Sequence, residues 1–474
     1  MTAGGGPEVR APGVRAPEVR APEVRALWRR RVAGLVPASP APGRWELVLA
    51  VVVGVATSVV FLVRQPGSAV DSPWAEDGRV FLGGAYADGW SAVLRPYAGY
   101  LHVYARLAAI VAARLPVRDA AAVLAVAGAL AAGLMAATAV LATAAWVRSV
   151  ELRAVLGLTL VLFPFGASEI AANVANSHWF FLAGAALTLV WRTTWRPATA
   201  WTVALALLAS LTDPLAGLLL PLALVRLLAG PVPPAAGTAQ HRSPRTRQWW
   251  GPVAPVVALV TGLAFQVVPV VTTFSAVRAP GSVHPALRDL TREFLRRVPA
   301  TVLIGEAGAR HAGRGLLVGT GVVVVLAVAA VALRRPLLVP AVLAGLGYVA
   351  VFWFLPVRLR NTDQDPAVTL AALARNARYS TVSVVLLLVV LFAGIDALVG
   401  AGHRRVARLL AAGTLVWVLA TQLPTVGAGV VRAPSWDGGL VAAQARCRTG
   451  RVLAVDVPIS PARWLTRVPC DRLR

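Results

Sequence analysis

Long apolar runs recur through the chain, and arginine sits at nearly every break between them. Walked in order, the runs cover residues 46–63, 120–147, 154–166, 178–191, 198–212, 214–229, 251–274, 315–333, 337–356, 380–399 and 408–427. A helix needs about 20 apolar residues to cross the hydrocarbon core of a bilayer, so this succession predicts about eleven crossings, several of them short. The expected fold class is an all-α polytopic membrane protein. Composition agrees. Of 474 residues, 57% are hydrophobic and 14% charged, against roughly 25% charged in a soluble domain.

The formal charge of +25 comes from arginine alone, since the sequence contains no lysine. A nucleic-acid partner would require those arginines on one soluble face. Here they punctuate apolar runs, as loop charges do in a polytopic protein, so no nucleic-acid partner is expected. The excess of Ala, Gly, Pro, Arg and Val speaks of codon usage rather than of function.

Residues 1–43 hold a five-residue repeat, PEVRAPGVRAPEVRAPEVRA at 7–26, in which proline recurs too often for a helix. They read as a disordered cytoplasmic tail ending in LWRRR, a basic flank that keeps the N-terminus inside. From there the arginine-bearing loops at 148–153, 192–197, 241–250, 334–336 and 402–408 fall on the cytoplasmic side. Loops at 64–119, 167–177, 213, 275–314 and 357–379 fall on the other. The domain plan is a tail (1–43), a transmembrane domain (44–427) whose first extracytoplasmic loop is 64–119, and an extracytoplasmic C-terminal tail (428–474). The segment YLHVYARLAAIVAARLP at 100–116 would reverse this parity if it crossed. At about 1.5 Å per residue it is too short to do so, and it reads as an interfacial or re-entrant helix whose Arg106 and Arg114 snorkel. Cys447 and Cys470 both lie in the C-terminal tail and are expected to close it with a disulfide around a strand at Val452–Val457.

The first outer loop contains WAEDGRVFLGGAYADGW, residues 74–90. Asp77 opens a short helix in which Val80, Phe81, Gly84 and Ala85 share a face and Gly89 is the stop. One reading makes Asp77 the N-cap of that helix; the other makes it a catalytic carboxylate at the membrane surface. A first span, an acidic pair, the helix GRVFLGGAYADGW and the return RPYAGYLHVYARLAAIVAARL together resemble the first loop of the GT-C superfamily of membrane glycosyltransferases, such as protein mannosyltransferases and aminoarabinose transferases. The resemblance covers residues 45–116. NARYSTVSVVLLL (376–388) and VPISPARWLTRVPC (457–470) look like an uncharacterised bacterial branch related to that superfamily. RPYAGYLHVY stands where better-known members carry a Pro-Pro-Leu segment, and many members have a larger C-terminal domain.

The resemblance implies a bacterial cytoplasmic membrane enzyme that takes sugar from a polyprenyl-phosphate donor on the outer face, with no nucleotide site. Asp77 is then the expected base for an acceptor hydroxyl, with Glu76 as alternate. Arg378 beside Tyr379 is the expected holder of the lipid phosphate, with Arg358 and Arg360 as substitutes; interfacial anchoring is the other reading of that pair. Arg95, Tyr97 and His102 are expected near the same pocket. Glu169, Asn173, Asn176 and His178 in SEIAANVANSHWFF are candidates for sugar hydroxyls, with Trp179 stacking on the ring. Asp213 before Pro214 reads as an N-cap. No cofactor is required, and the acidic pair is the one place for a divalent cation. Expected partners are the donor lipid, membrane lipid and an acceptor that the sequence does not define. A flippase or transporter would place ionisable groups in mid-span, a glycan polymerase or ligase would use an arginine-rich outer loop such as 275–314, and a non-catalytic scaffold would need neither acidic residue.

Overall fold

The structure, a computed structural model, describes residues 32–64, 70–162, 173–232, 245–277, 285–359, 377–399, 403–422 and 435–473. Its helices are α1 (Arg44–Val63), α2 (Gly83–Asp88), α3 (Val103–Arg114), α4 (Ala120–Ala142), α5 (Val150–Leu162), α6 (Ser177–Leu189), α7 (Pro197–Thr212) and α8 (Leu220–Ala229). They continue with α9 (Arg245–Val277), α10 (Leu287–Leu295), α11 (Thr301–His311), α12 (Arg314–Arg334), α13 (Val339–Leu359), α14 (Thr381–Val399), α15 (Arg404–Gln422) and α16 (Trp436–Arg448). Among the described residues, 6 helical segments are long and apolar enough to cross a membrane: 44–63, 117–142, 250–272, 314–334, 336–357 and 378–399. Three shorter apolar helices, 177–189, 197–212 and 214–229, accompany them. The repeat at 7–26 lies outside the described residues.

Helix α6 is buried along its whole length, and most of α4 and α14 is buried with it, so these three form the centre. The periphery is α1, α9 and α12, whose Val55, Val268 and Val325 stand 59%, 67% and 65% exposed, as lipid-facing side chains do. Small residues let α1 and α4 approach closely: the Ser58 hydroxyl donates to the Ala129 carbonyl across the contact at 3.1 Å.

One end of the bundle is held by buried arginines. Arg226 donates to the carbonyls of Thr188, Leu189 and Trp191 at 2.9–3.2 Å, which satisfies the C-terminal carbonyls of α6 that have no helical partner. Arg192 donates to Val36 and Ala229 carbonyls, and beside it β1 (Ala38–Ser39) runs parallel to β2 (Arg192–Thr193). Asp396 accepts from the amides of Arg148 and Ser149 at 3.0 and 2.9 Å and pairs with Arg335. Arg153 bonds the Val140 carbonyl and pairs with Glu46, whose carboxylate also caps Gly43 at the start of α1. The sequence reading treats these arginines as loop charges; many are instead latches on helix ends.

At the other end lie the first loop and the C-terminal residues. Asp77–Leu82 winds as a π-helical turn that passes into α2, and Gly89 ends α2 with a positive φ of 56°, as the sequence predicts. Helix α3 has 12 residues; its start lies against the rings of the loop, and Arg114 at its end stacks on Trp90 at 4.6 Å. Arg106 does not snorkel. It is buried, donates to the Val80 and Arg95 carbonyls at 2.9 and 3.2 Å, and lies over the Phe81 ring, tying α3 to the π turn.

The C-terminal residues form a small module of α16 and an antiparallel hairpin, β3 (Ala454–Ile459) and β4 (Trp464–Pro469), with a Cys447–Cys470 disulfide. The strand begins two residues later than Val452. The module shares one apolar core with the first loop: Val457, Ile459, Val468 and Trp436 pack with Phe81, Leu82 and Ala85.

Candidate functional site

Glu76 and Asp77 sit at the head of the π turn, a wide helical turn that is rare and recurs at functional sites. The two carboxylates have different surroundings. Asp77 is buried, and its oxygens accept from the backbone amides of Val174 and Ala175, each at 2.8 Å. It therefore does not cap its own helix, where no side-chain bond forms. It caps the turn that leads into α6, nearly a hundred residues away. Burial pushes its carboxyl up to about 8, against the opposing pull of those two N–H groups. Glu76 is half-buried, and among the described residues it has no hydrogen-bond or ion-pair partner.

Aromatic rings fill the space beside the pair. Tyr97 and Tyr100 join backbones in a tight bridge at 2.9 and 3.2 Å, which presents both phenols and the following His102 together. The His102 ring lies 4.2 Å from Tyr100, 5.8 Å from Tyr97 and 5.4 Å from Phe81. It is buried and neither ring nitrogen has a partner of normal hydrogen-bond geometry, although the Tyr97 backbone lies close. Burial, with His178 and Arg106 nearby, pushes its pKa well down, so the imidazole is neutral. Tyr97 is within electrostatic reach of Glu76, Arg378 and Arg79, and its phenol is raised by burial first and Glu76 second.

His178 stands one ring further, 6.1 Å from His102. Its Nδ1 meets the Ala175 carbonyl at 2.8 Å, and its Nε2 lies 3.5 Å from Asp213 Oδ2. Asp213 also accepts from Leu215 N at 2.7 Å, the N-cap expected from the Asp-Pro step. A ladder thus runs from Asp77 through the 174–175 backbone and His178 to Asp213. Trp179 is 3% exposed and packs edge-on against Tyr379 at 5.7 Å and beside His178 at 4.8 Å. Its face is not open, so it does not stack on a sugar as the sequence suggests; it braces Tyr379. Arg378 lies over the Tyr379 ring at 5.5 Å.

The structure therefore brings Glu76, Asp77, Tyr97, His102, His178, Arg378 and Tyr379 into one region. Asn173 and Asn176 are in the same turn, with Asn173 Oδ1 accepting from Asn176 N at 2.9 Å. Arg95 points away: it pairs with Asp88 and is 60% exposed. Glu169 and Arg360 lie outside the described residues, as does the side chain of Arg358 at the end of α13. Tyr100 is the member that sequence reasoning missed. Its signal is the YAGY spacing, in which Ala98 and Gly99 take positive φ and turn the chain back on itself.

Among the described residues no three His, Cys, Asp or Glu side chains are grouped to hold a metal ion. Comparison of the chain with family models, with curated proteins and with solved structures returns no match.

Proposed function

We propose that the chain is a polyprenyl-phosphate-dependent glycosyltransferase of the GT-C kind, working on the extracytoplasmic face of a bacterial cytoplasmic membrane. The observation that carries the reading is the division of labour in the acidic pair. Asp77 is tied by two backbone N–H groups, while Glu76 beside it is unbonded among the described residues and, like Arg378, lies within electrostatic reach of Tyr97. A partly buried carboxylate with free lone pairs, a cationic fork and aromatic walls are the groups that sugar transfer from a lipid phosphate requires.

In the proposed reaction the acceptor oxygen attacks the anomeric carbon and the bond from that carbon to the phosphate oxygen breaks. Polyprenyl phosphate leaves with the electron pair, close to Arg378, and the acceptor proton passes to Glu76. Glu76 thus takes the role that the sequence gives first to Asp77. Retention would need a second carboxylate as nucleophile. Both Asp77 oxygens are occupied by N–H donors, so this arrangement favours inversion.

Eleven crossings remain the topology we propose. Contacts between loops support it by parity. Residues 38–39, 148–149, 192–193, 335 and 396 meet at one end. Residues 71, 77, 174–175, 178, 213 and 436 meet at the other, where Gln422 also bonds Thr301. With eleven crossings, 103–114 and the C-terminal module share the side that we take as extracytoplasmic.

Two rival readings lose support. Asp396 and Arg226, the ionisable groups nearest mid-span, are committed to helix ends. In the 275–314 region, Arg296, Arg297 and Arg310 are paired with Glu293 and Glu306, which leaves fewer free cations for a ligase-type pocket.

The test is the envelope glycan and glycolipid profile of a deletion strain carrying wild type or Glu76→Gln at matched membrane abundance. Loss of one glycosylated species, with its unglycosylated acceptor accumulating, is expected. An unchanged profile with Glu76→Gln, where the deletion itself has a defect, would remove the transferase reading.

A further inference from the structure

Residues 71–73 approach the acidic pair without secondary structure of their own, and the C-terminal module supplies hydrogen bonds to them and to Ala75. Trp436 N donates to the Asp71 carbonyl at 2.7 Å. Ser460 N lies 3.1 Å from the Pro73 carbonyl and 3.0 Å from Ser72 Oγ, and the Ser460 carbonyl accepts from Ala75 N. Ser460 is 1% exposed, and its pairing with Trp74 continues the hairpin as a short parallel bridge. On the far side of the pair, Gly78 presses against the same hairpin. A methyl group there would meet Ile459 Cδ1 and Thr466 Oγ1 at 2.5 Å, closer than side-chain carbons approach. Arg79 then stacks on Trp464 at 5.6 Å.

Glu76 and Asp77 thus occupy the two positions between the last residue bonded to the hairpin and the first residue packed against it. From this we infer that the C-terminal hairpin is the positioning element of the site, with Ser460 and Gly78 the residues through which it fixes where the two carboxylates lie. The disulfide joins α16 to the end of β4 and holds the module closed, so the placement of the pair is linked to oxidation of Cys447 and Cys470. The catalytic meaning of this inference rests on the function proposed above; the mechanical coupling does not.

Hydrogen–deuterium exchange on the full-length protein in detergent tests the coupling directly. The reporter for Asp77 is the segment 173–177, whose amides at 174 and 175 it holds. The reporter for docking is 454–460, and 188–193 at the opposite end is the control. Gly78→Ala is expected to speed exchange by about tenfold or more at both reporters and not at the control, as local opening does. Ile459→Val with Thr466→Ala, which removes the two clashing atoms, should restore protection in the Gly78→Ala background. Reduction of the unmodified protein with a phosphine should reproduce the Gly78→Ala pattern. Faster exchange at 454–460 with 173–177 unchanged, under either perturbation, would overturn the inference, as would protection at both reporters under both.

In cells at matched abundance, Gly78→Ala should lower the glycosylated product and the triple variant should recover it. If Glu76→Gln leaves the profile intact while exchange at the two reporters remains coupled, the transferase reading fails and the positioning inference stands. If Glu76→Gln abolishes the product and the reporters are uncoupled, the reverse holds.

Discussion

The two ends of the bundle use polar residues in opposite ways. At the arginine-latched end, the guanidinium groups of Arg153, Arg192 and Arg226 terminate on helix carbonyls, and Asp396 is closed by two amides and Arg335. There the Nε atoms of the three arginines are the buried polar atoms left over, while their terminal nitrogens are bonded. At the other end whole polar groups are unmatched: neither His102 ring nitrogen has a hydrogen bond of normal geometry, the Trp179 indole N–H is buried without an acceptor, and Glu76 is unbonded among the described residues. Buried polar atoms without partners cost free energy, and a fold tolerates them where a ligand or water completes them. The difference separates residues that hold the bundle together from residues left available for chemistry.

The comparison can be broken at either end. The largest effect is expected at Glu76: replacing it with Gln should lower product formation by about 10²–10⁴-fold, the range for a lost general base, with thermal stability unchanged. Asp396→Ala should do the opposite. It leaves Arg335 buried without its carboxylate and should destabilise the protein by about 3–5 kcal/mol, while surviving protein turns over normally. If Asp396→Ala abolished product at matched abundance, the latched end would belong to the machinery and the division would fail.

Reducing Cys447–Cys470 comes next. The bridge closes a loop with a sequence separation of 23, and its loss should cost about 3 kcal/mol in a denaturant melt. The smallest effect belongs to Asp77→Asn, which keeps one oxygen acceptor and loses the other, for about 1–3 kcal/mol. Its pH dependence sharpens the point. Burial holds the Asp77 carboxyl at about 8, above its usual 3.8, so the folded chain binds that proton more tightly than the unfolded chain does. The stability from this group is full below pH 3.8 and is lost as pH rises through 8. Melting temperatures of wild type and Asp77→Asn, compared across that window, should show a falling component in wild type alone; a parallel pair of curves would place the titration elsewhere.

Much of this frame was legible in the residues. Apolar runs mark the helices because nothing else satisfies a backbone in lipid. Gly89, the Asp213-Pro214 step and the strand near Val455 follow from local chemistry. The site was legible only as a set of types. The partners of Asp77 are the backbone amides of Val174 and Ala175, and every residue except proline carries such an N–H, so no side chain at 174 or 175 announces the contact. Arg106 reads as a snorkelling arginine of an interfacial helix, yet carbonyls from Val80 and Arg95 draw it inward. Gly78 carried the one cue to the docked hairpin, and a lone glycine in a loop has too many other uses to be read.

The hairpin that brackets residues 76 and 77 comes from the far end of the chain, with Ser460 bonded to Pro73 across nearly the whole sequence. During synthesis the first loop emerges early and must wait for almost every later helix to insert before its partner arrives. A chain halted anywhere before Cys470 would carry both carboxylates in the membrane without the scaffold that orders them. Completion of translation is therefore a condition for ordering residues 76 and 77, and a half-made copy lacks the scaffold that brackets them.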